Sequence, residues 1–168
     1  MKLFVIYIGG KTTTSLIELH DMCFVVSDSI ENTYETLRKK WWGTSNSLHL
    51  DAWGILNYAD GYNIVLKDYP ANFEQKLYFV NLGGYDKNKF TELHKNIFIV
   101  AENESKAKIK ALKQVLDWQS YHRDNQYEIE NCISVDEQIE KNKLYIHLEK
   151  SENFLPFEFT CKYVAIGK

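Results

Sequence analysis

Lys2-Leu3-Phe4-Val5-Ile6-Tyr7-Ile8-Gly9-Gly10 is answered later in the chain by Lys76-Leu77-Tyr78-Phe79-Val80-Asn81-Leu82-Gly83-Gly84. The correspondence continues. Glu18-Leu19-His20, Phe24 and Val26 recur as Glu92-Leu93-His94, Phe98 and Val100. From Gly10 to Gly84, from His20 to His94 and from Phe24 to Phe98 the step is always 74 residues. The chain therefore reads as one unit written twice, over residues 1–74 and 75–150, followed by a tail over 151–168.

Within the first unit, Leu3 to Ile8 is a short apolar run that reads as a buried strand. Gly9-Gly10 reads as a turn or bulge after it. That role is favoured over a phosphate loop, because the Gly-x-x-x-x-Gly-Lys-Ser/Thr pattern is missing and no helix follows directly. Met22 to Val26 is a second strand. Asp28 and Glu31 have the spacing of a capping box, predicting a helix from about Ser29 to Trp42. Ile30, Tyr34, Leu37 and Trp41 form its apolar stripe, and Gly43 ends it. Leu48 to Tyr58 is a third strand. Asp60-Gly61 is a hairpin signal, and Tyr62 to Lys67 returns as a fourth.

The second unit repeats this β-β-α-β-β order. Strands fall near Leu77–Leu82, Ile97–Val100, Tyr127–Ile133 and Leu144–Leu148. Asn103 caps a helix with a stripe of Ile109, Leu112 and Leu116. A charged loop, Asp136 to Lys143, replaces the tight turn. In the tail, Phe157, Phe159, Cys161 and Tyr163 alternate with polar residues. This predicts a half-buried strand that extends a sheet edge. The expected fold is α+β, mostly antiparallel, with two helices, both units packed as one body. Either one continuous sheet or two facing sheets satisfies the pattern.

Composition limits the function. Basic and acidic residues number 20 and 23, for a net charge of −3. Neither unit is basic, which argues against nucleic acid as a partner and against a polybasic membrane patch. No apolar stretch is long enough to span a bilayer, and the first apolar run is too short for a signal peptide. Cys23, Cys132 and Cys161 are odd in number and far apart, and read as buried free thiols in a reducing cytoplasm. Aromatic residues make up 14% of the chain, enough for a core with some area left for an interface.

The ordered motifs Gly9-Gly10, Glu18-Leu19-His20-Asp21, Phe24-Val25-Val26, Trp42-Gly43 and His49-Leu50-Asp51 resemble a bacterial family known as domain of unknown function 1543. The resemblance implies two tandem copies covering nearly the whole chain, a bacterial cytoplasmic origin, and no known activity. The second copy departs from it, with Lys95 at the place of Asp21.

The polar residues that bear chemistry are Glu18, His20, Asp21, His49 and Asp51. By spacing, their second-unit counterparts are Glu92, His94, His122 and Asp124. In extended backbone, His49 and Asp51 point to one side, as do Glu18 and His20. Two such segments meeting would gather imidazole and carboxylate groups suited to a divalent metal or to acid–base work. The competing structural role is a set of hydrogen-bonded pairs that pin loops. Trp42 lies off the helix stripe and is the candidate interface residue. The first reading is a non-enzymatic module that binds a protein partner or itself, with no cofactor. The alternative is a metal-dependent enzyme or metal-binding module built on the His/Asp cluster.

Overall fold

The computed structural model describes residues 1–85, 88–115, 128–139 and 143–168, and among these the fold is a mixed α/β assembly of antiparallel sheets with few helices. The first sheet takes β1 (Lys2–Gly10), β2 (Leu19–Ser27), β3 (His49–Ile55) and a strand from the tail. A short helix α1 (Tyr34–Lys40) lies between β2 and β3. The hairpin β4 (Tyr58–Ala59) and β5 (Tyr62–Lys67) follows. Then come β6 (Lys76–Tyr85), β7 (Glu92–Ala101), helix α2 (Glu104–Val115), β8 (Glu128–Ser134), the one-turn α3 (Val135–Gln138), β9 (Tyr145–Lys150) and β10 (Phe159–Ala165).

Three sheets result, neither one continuous sheet nor two. Their strand orders are β10-β3-β1-β2, β7-β6-β8 and β4-β5-β9. The third joins a strand of residues 1–74 to one of residues 75–150, since Ile64 on β5 faces Leu148 on β9.

Strands β1 and β6 are centre strands buried on both faces, which explains their nearly unbroken apolar sequences. One face of the first sheet, carrying Phe4, Ile6 and Ile8, packs with Leu37 of α1 and with Trp41. One face of the second, carrying Tyr78, Val80 and Leu82, packs with Ala107 and Ala111 of α2. The opposite faces meet in a common core of Leu3, Val5, Phe24 and Val26 with Leu77, Phe79 and Val100. Phe24 and Phe79 meet there edge to face, with ring centroids 5.3 Å apart.

Local expectations fare unevenly. Asp60 and Gly61 adopt positive φ of 53° and 87°, as the tight hairpin requires. Asn103 Oδ1 accepts from the Lys106 amide at 2.9 Å, a genuine helix cap. The Asp28/Glu31 capping box does not form. Asp28 Oδ1 instead accepts from the Asn32 side chain at 2.7 Å, and the segment opens with a 3-10 turn over Glu31–Thr33. The helix stops at Lys40, short of Trp42, because Trp41 is already extended.

The predicted α2 stripe is also displaced. Ile109 is 57% exposed and Leu112 37%, while Ala107 and Ala111 are buried; Leu116 lies outside the described residues. The close approach of helix and sheet admits methyl groups and excludes larger side chains. Part of the charged loop folds as α3.

The tail strand does cover an edge, pairing with β3. It is not half-buried, however, because Phe159, Cys161 and Tyr163 are all exposed. Only Cys23 and Cys132 are the buried thiols expected of all three.

Gly9 and Gly10 form no turn. They sit inside β1, paired with His20 and Leu19 on β2, and Gly9 also pairs with His49 on β3.

Candidate functional site

The cross-strand register builds the site. His20, Gly9 and His49 are neighbours in one row across β2, β1 and β3. Side chains in such a row share one face of the sheet. Glycine in the middle leaves a gap into which both imidazoles lean. A Cβ at Gly9 would lie 2.6 Å from His49 Nε2, 2.7 Å from Asp51 Oδ2 and 3.0 Å from His20 Cδ2. Glycine here answers to space and not to backbone angle.

Two carboxylates complete the group. Glu18 enters from the residue before β2, and Asp51 from a bulge in β3. Ile8 faces Leu50 while Tyr7 faces Ala52, so Asp51 is the extra residue. His20 Nε2 lies 3.6 Å from Glu18 Oε2 and 3.4 Å from Asp51 Oδ2. His49 Nε2 lies 3.3 Å from Glu18 Oε1 and 3.4 Å from Asp51 Oδ1. Each carboxylate thus offers one oxygen to each ring.

His49 is the fixed member. Its side chain is 2% exposed, and its Nδ1 lies 2.9 Å from the Ser47 carbonyl oxygen. A carbonyl only accepts, so Nδ1 carries a proton. His49 Nε2 and Asp51 Oδ2 are buried without a hydrogen-bond partner. The four ring-to-carboxylate distances are near the edge lengths of a coordination shell, but each ring meets a different oxygen of each carboxylate, so the four donors do not yet share one centre. Ligand atoms about 2.1 Å from a tetrahedral ion stand about 3.4 Å from one another. A ligating histidine held by its other N–H on a backbone carbonyl is the usual supporting arrangement. The donor types, two imidazoles and two carboxylates, suit a divalent ion, and the two carboxylates would have to turn to share one centre.

Sequence reasoning did not find the two tyrosines of the site. Tyr7 stacks on His20 with ring centroids 5.0 Å apart and planes 4° from parallel. Tyr163 of the tail lies against His49 at 4.4 Å. Burial pushes the Tyr7 phenol pKa up, helped by the nearby charges of Asp51 and Asp21, so Tyr7 stays a protonated donor at neutral pH. Tyr7 lies two residues from Gly9 on the same strand face, a signal that alternation alone could have given. Asp21 does not join the four. It is exposed and its Oδ1 accepts from the Met22 amide at 2.7 Å. Trp42 is 56% exposed and rests on Trp41, centroids 5.1 Å apart.

A related group stands on the second sheet. His94 pairs with Gly83 across β7 and β6, and Glu130 is the extra residue of a bulge in β8. His94 Nδ1 lies 3.0 Å from Glu130 Oε2, and its Nε2 lies 3.9 Å from Glu92 Oε2. Ligand-type atoms of Glu92, His94 and Glu130 all fall within 4.8 Å of one another, a mutual closeness that no three of Glu18, His20, His49 and Asp51 reach. Among the described residues the chemistry differs, because one ring is shared between two carboxylates. The expected counterparts His122 and Asp124 lie outside the described residues. The register places Glu128 opposite Gly83 where the first sheet has His49, and Glu130 where it has Asp51.

A match to the family described as Domain of Unknown Function (DUF1543) covers residues 15–66, which contain all four clustered residues. No curated protein matches the chain. Among solved structures, a protein Il1583 from Idiomarina loihiensis is similar over 99% of this chain and 99% of its own, with 32% identity and a TM-score of 0.75. Likeness of that extent and identity is kinship, and the chain belongs to one family with Il1583, its residues 15–66 matching the Domain of Unknown Function (DUF1543).

Proposed function

We propose that this protein is a divalent-metal-binding module whose ion is held by Glu18, His20, His49 and Asp51. One observation carries the reading. His49 Nε2 is buried without a hydrogen-bond partner, 3.3 Å from Glu18 Oε1 and 3.4 Å from Asp51 Oδ1. Leaving such an atom unsatisfied costs about 1–3 kcal/mol, a cost that a bound ion removes. Two imidazoles and two carboxylates suit zinc or a neighbouring first-row metal better than calcium or magnesium. The side chains of Glu18, His20 and Asp51 keep 40%, 33% and 27% of their surface exposed. An ion there would face solvent on one side, as ions do in catalytic sites and not in closed structural ones.

The same reading takes the chain as an internal duplication with one site kept and one altered. The constant 74-residue step, the matching registers around Gly9 and Gly83, and the bulges at Asp51 and Glu130 support it. At the register place of His49 the second sheet carries Glu128, so the two sites differ in donor set.

The test is thermal unfolding of the metal-stripped protein against zinc, cobalt, nickel and manganese, with calorimetric titration for stoichiometry. Metal at one hundred times its dissociation constant adds about 2.7 kcal/mol, a visible melting shift. The shift should vanish in both His20→Ala and His49→Ala. No heat and no shift with any of the four metals would end the proposal.

Docking of a protein partner through Trp42 is the second reading, supported by its exposed ring. Trp42→Ala should then leave the melting temperature unchanged while abolishing any self-association seen by light scattering.

A further inference from the structure

The face that carries the site runs on from Gly9 to Tyr7 and Val5, and beside it lies a cavity of about 390 Å3. Val5, Tyr7, Met22 and Ala52 from the first sheet line it with Asn96 of the second, and Phe157 and Phe159 of the tail flank its open side. The tail can lie this close because Gly54 has no side chain; a Cβ there would meet the Glu158 carbonyl oxygen at 2.6 Å. Phe157 is held in turn by Phe98, at 6.1 Å, and by Phe159, at 5.9 Å.

Cavity and cluster are joined by two residues. Tyr7 lines the cavity and its ring stacks on His20. Ala52 lines it and directly follows Asp51. Along a strand, two residues span about 7 Å. The step from the Gly9 row to the Tyr7 row is thus the length of a short side chain plus a ring.

We infer that this cavity seats the apolar body of a small carboxylic acid whose carboxylate reaches the ion held by Glu18, His20, His49 and Asp51. The inference rests on the metal reading. Two protein carboxylates balance a doubly charged ion and leave it a Lewis acid on its solvent side, where an oxygen anion is the natural further ligand. An alkylammonium has no lone pair to offer at that position. The lining suits an aryl or branched alkyl group, and the protonated Tyr7 hydroxyl supplies a donor between the two halves.

The probe is 3-phenylpropionate, titrated calorimetrically into the zinc-loaded and the metal-free protein, with propionate as the ring-free control. Zinc binding is measured first on the same preparations. The zinc-loaded protein should bind 3-phenylpropionate about tenfold or more tighter than it binds propionate, and tighter than the metal-free protein does, by the same factor. Ala52→Phe should fill the cavity and remove this binding while zinc affinity is kept. Phe159→Ala, at an exposed position that tolerates truncation, should weaken it. Zinc binding intact with no preference for the ring, or with no effect of either variant, would overturn this inference alone. Absence of zinc binding would overturn the metal reading and this inference together.

Discussion

Gly9 and His49 occupy one space. A methyl group on Gly9 would lie 2.6 Å from the Nε2 of a ring that is 2% exposed, tied to Ser47 and covered by Tyr163. The ring has nowhere to go. Gly9→Ala should therefore destabilise the metal-free protein by about 1–3 kcal/mol through overpacking. It should also abolish the zinc-dependent melting shift, since the methyl fills the space where the donors converge. Gly83→Ala is the matched control. Its methyl meets the ends of Glu130 and Glu92, which are partly exposed and free to swing. Its cost should be smaller, and the zinc shift should survive. Unfolding of both variants with and without zinc checks this; equal behaviour of the two would refute it.

Much of this was legible in the sequence, and the misses share a cause. The strands, the Asp60-Gly61 turn and the Asn103 cap follow from local pattern, which acts within a few residues. Glu18, His20, His49 and Asp51 were also on the page as candidates, because their alternation puts each pair on one side of extended backbone. What the one-dimensional pattern lacks is the register between strands. Gly9 reads as a turn until His20 and His49 are seen flanking it. His122 and Asp124 have the right types near the 74-residue step, yet the register gives the corresponding places to Glu128 and Glu130. Tyr163 comes from the far end of the chain, and no local rule brings it to His49.

Asp60 holds the hairpin of the first unit to a strand of the second. Its Oδ2 accepts from the Val100 amide at 2.7 Å and pairs with the Lys110 ammonium, and its side chain is 11% exposed. Its backbone also sits at a φ of 53°. Asp60→Ala should cost about 1–3 kcal/mol, by orphaning the Val100 amide, plus the penalty of alanine at positive φ. Asp60→Asn keeps an acceptor and tolerates that backbone angle, so it should cost clearly less. Urea unfolding of the two variants decides it, and an alanine variant no worse than the asparagine one would contradict the bridge.

Helix α2 offers a test of the displaced stripe. Ala111 is fully buried against the second sheet while Ile109 is 57% exposed. Ala111→Leu should destabilise by about 1–3 kcal/mol, because the helix must move away from β6 and β7 to admit it. Ile109→Gln should change stability by no more than about 0.5 kcal/mol. The reverse ranking by urea unfolding would restore the stripe expected from the spacing of larger apolar residues.

Asp136, in the first turn of α3, carries the clearest pH signature. Burial raises its pKa above the ordinary 3.8, although a hydrogen bond from the Ile146 amide acts in the opposite direction. The sign follows from proton counting. With the folded value above the unfolded one, the folded state holds the proton more tightly. Its contribution to stability is full below pH 3.8 and is lost as pH rises through the folded value. At neutral pH the buried charge is a net burden. Asp136→Asn keeps an acceptor for the amide and removes the charge. The variant should be more stable than the parent at pH 7, and the gap should close as pH falls toward 3.8. Urea midpoints measured from pH 4 to pH 7 would show this convergence, and a gap that widened toward acid would mean the carboxylate is stabilised as the anion.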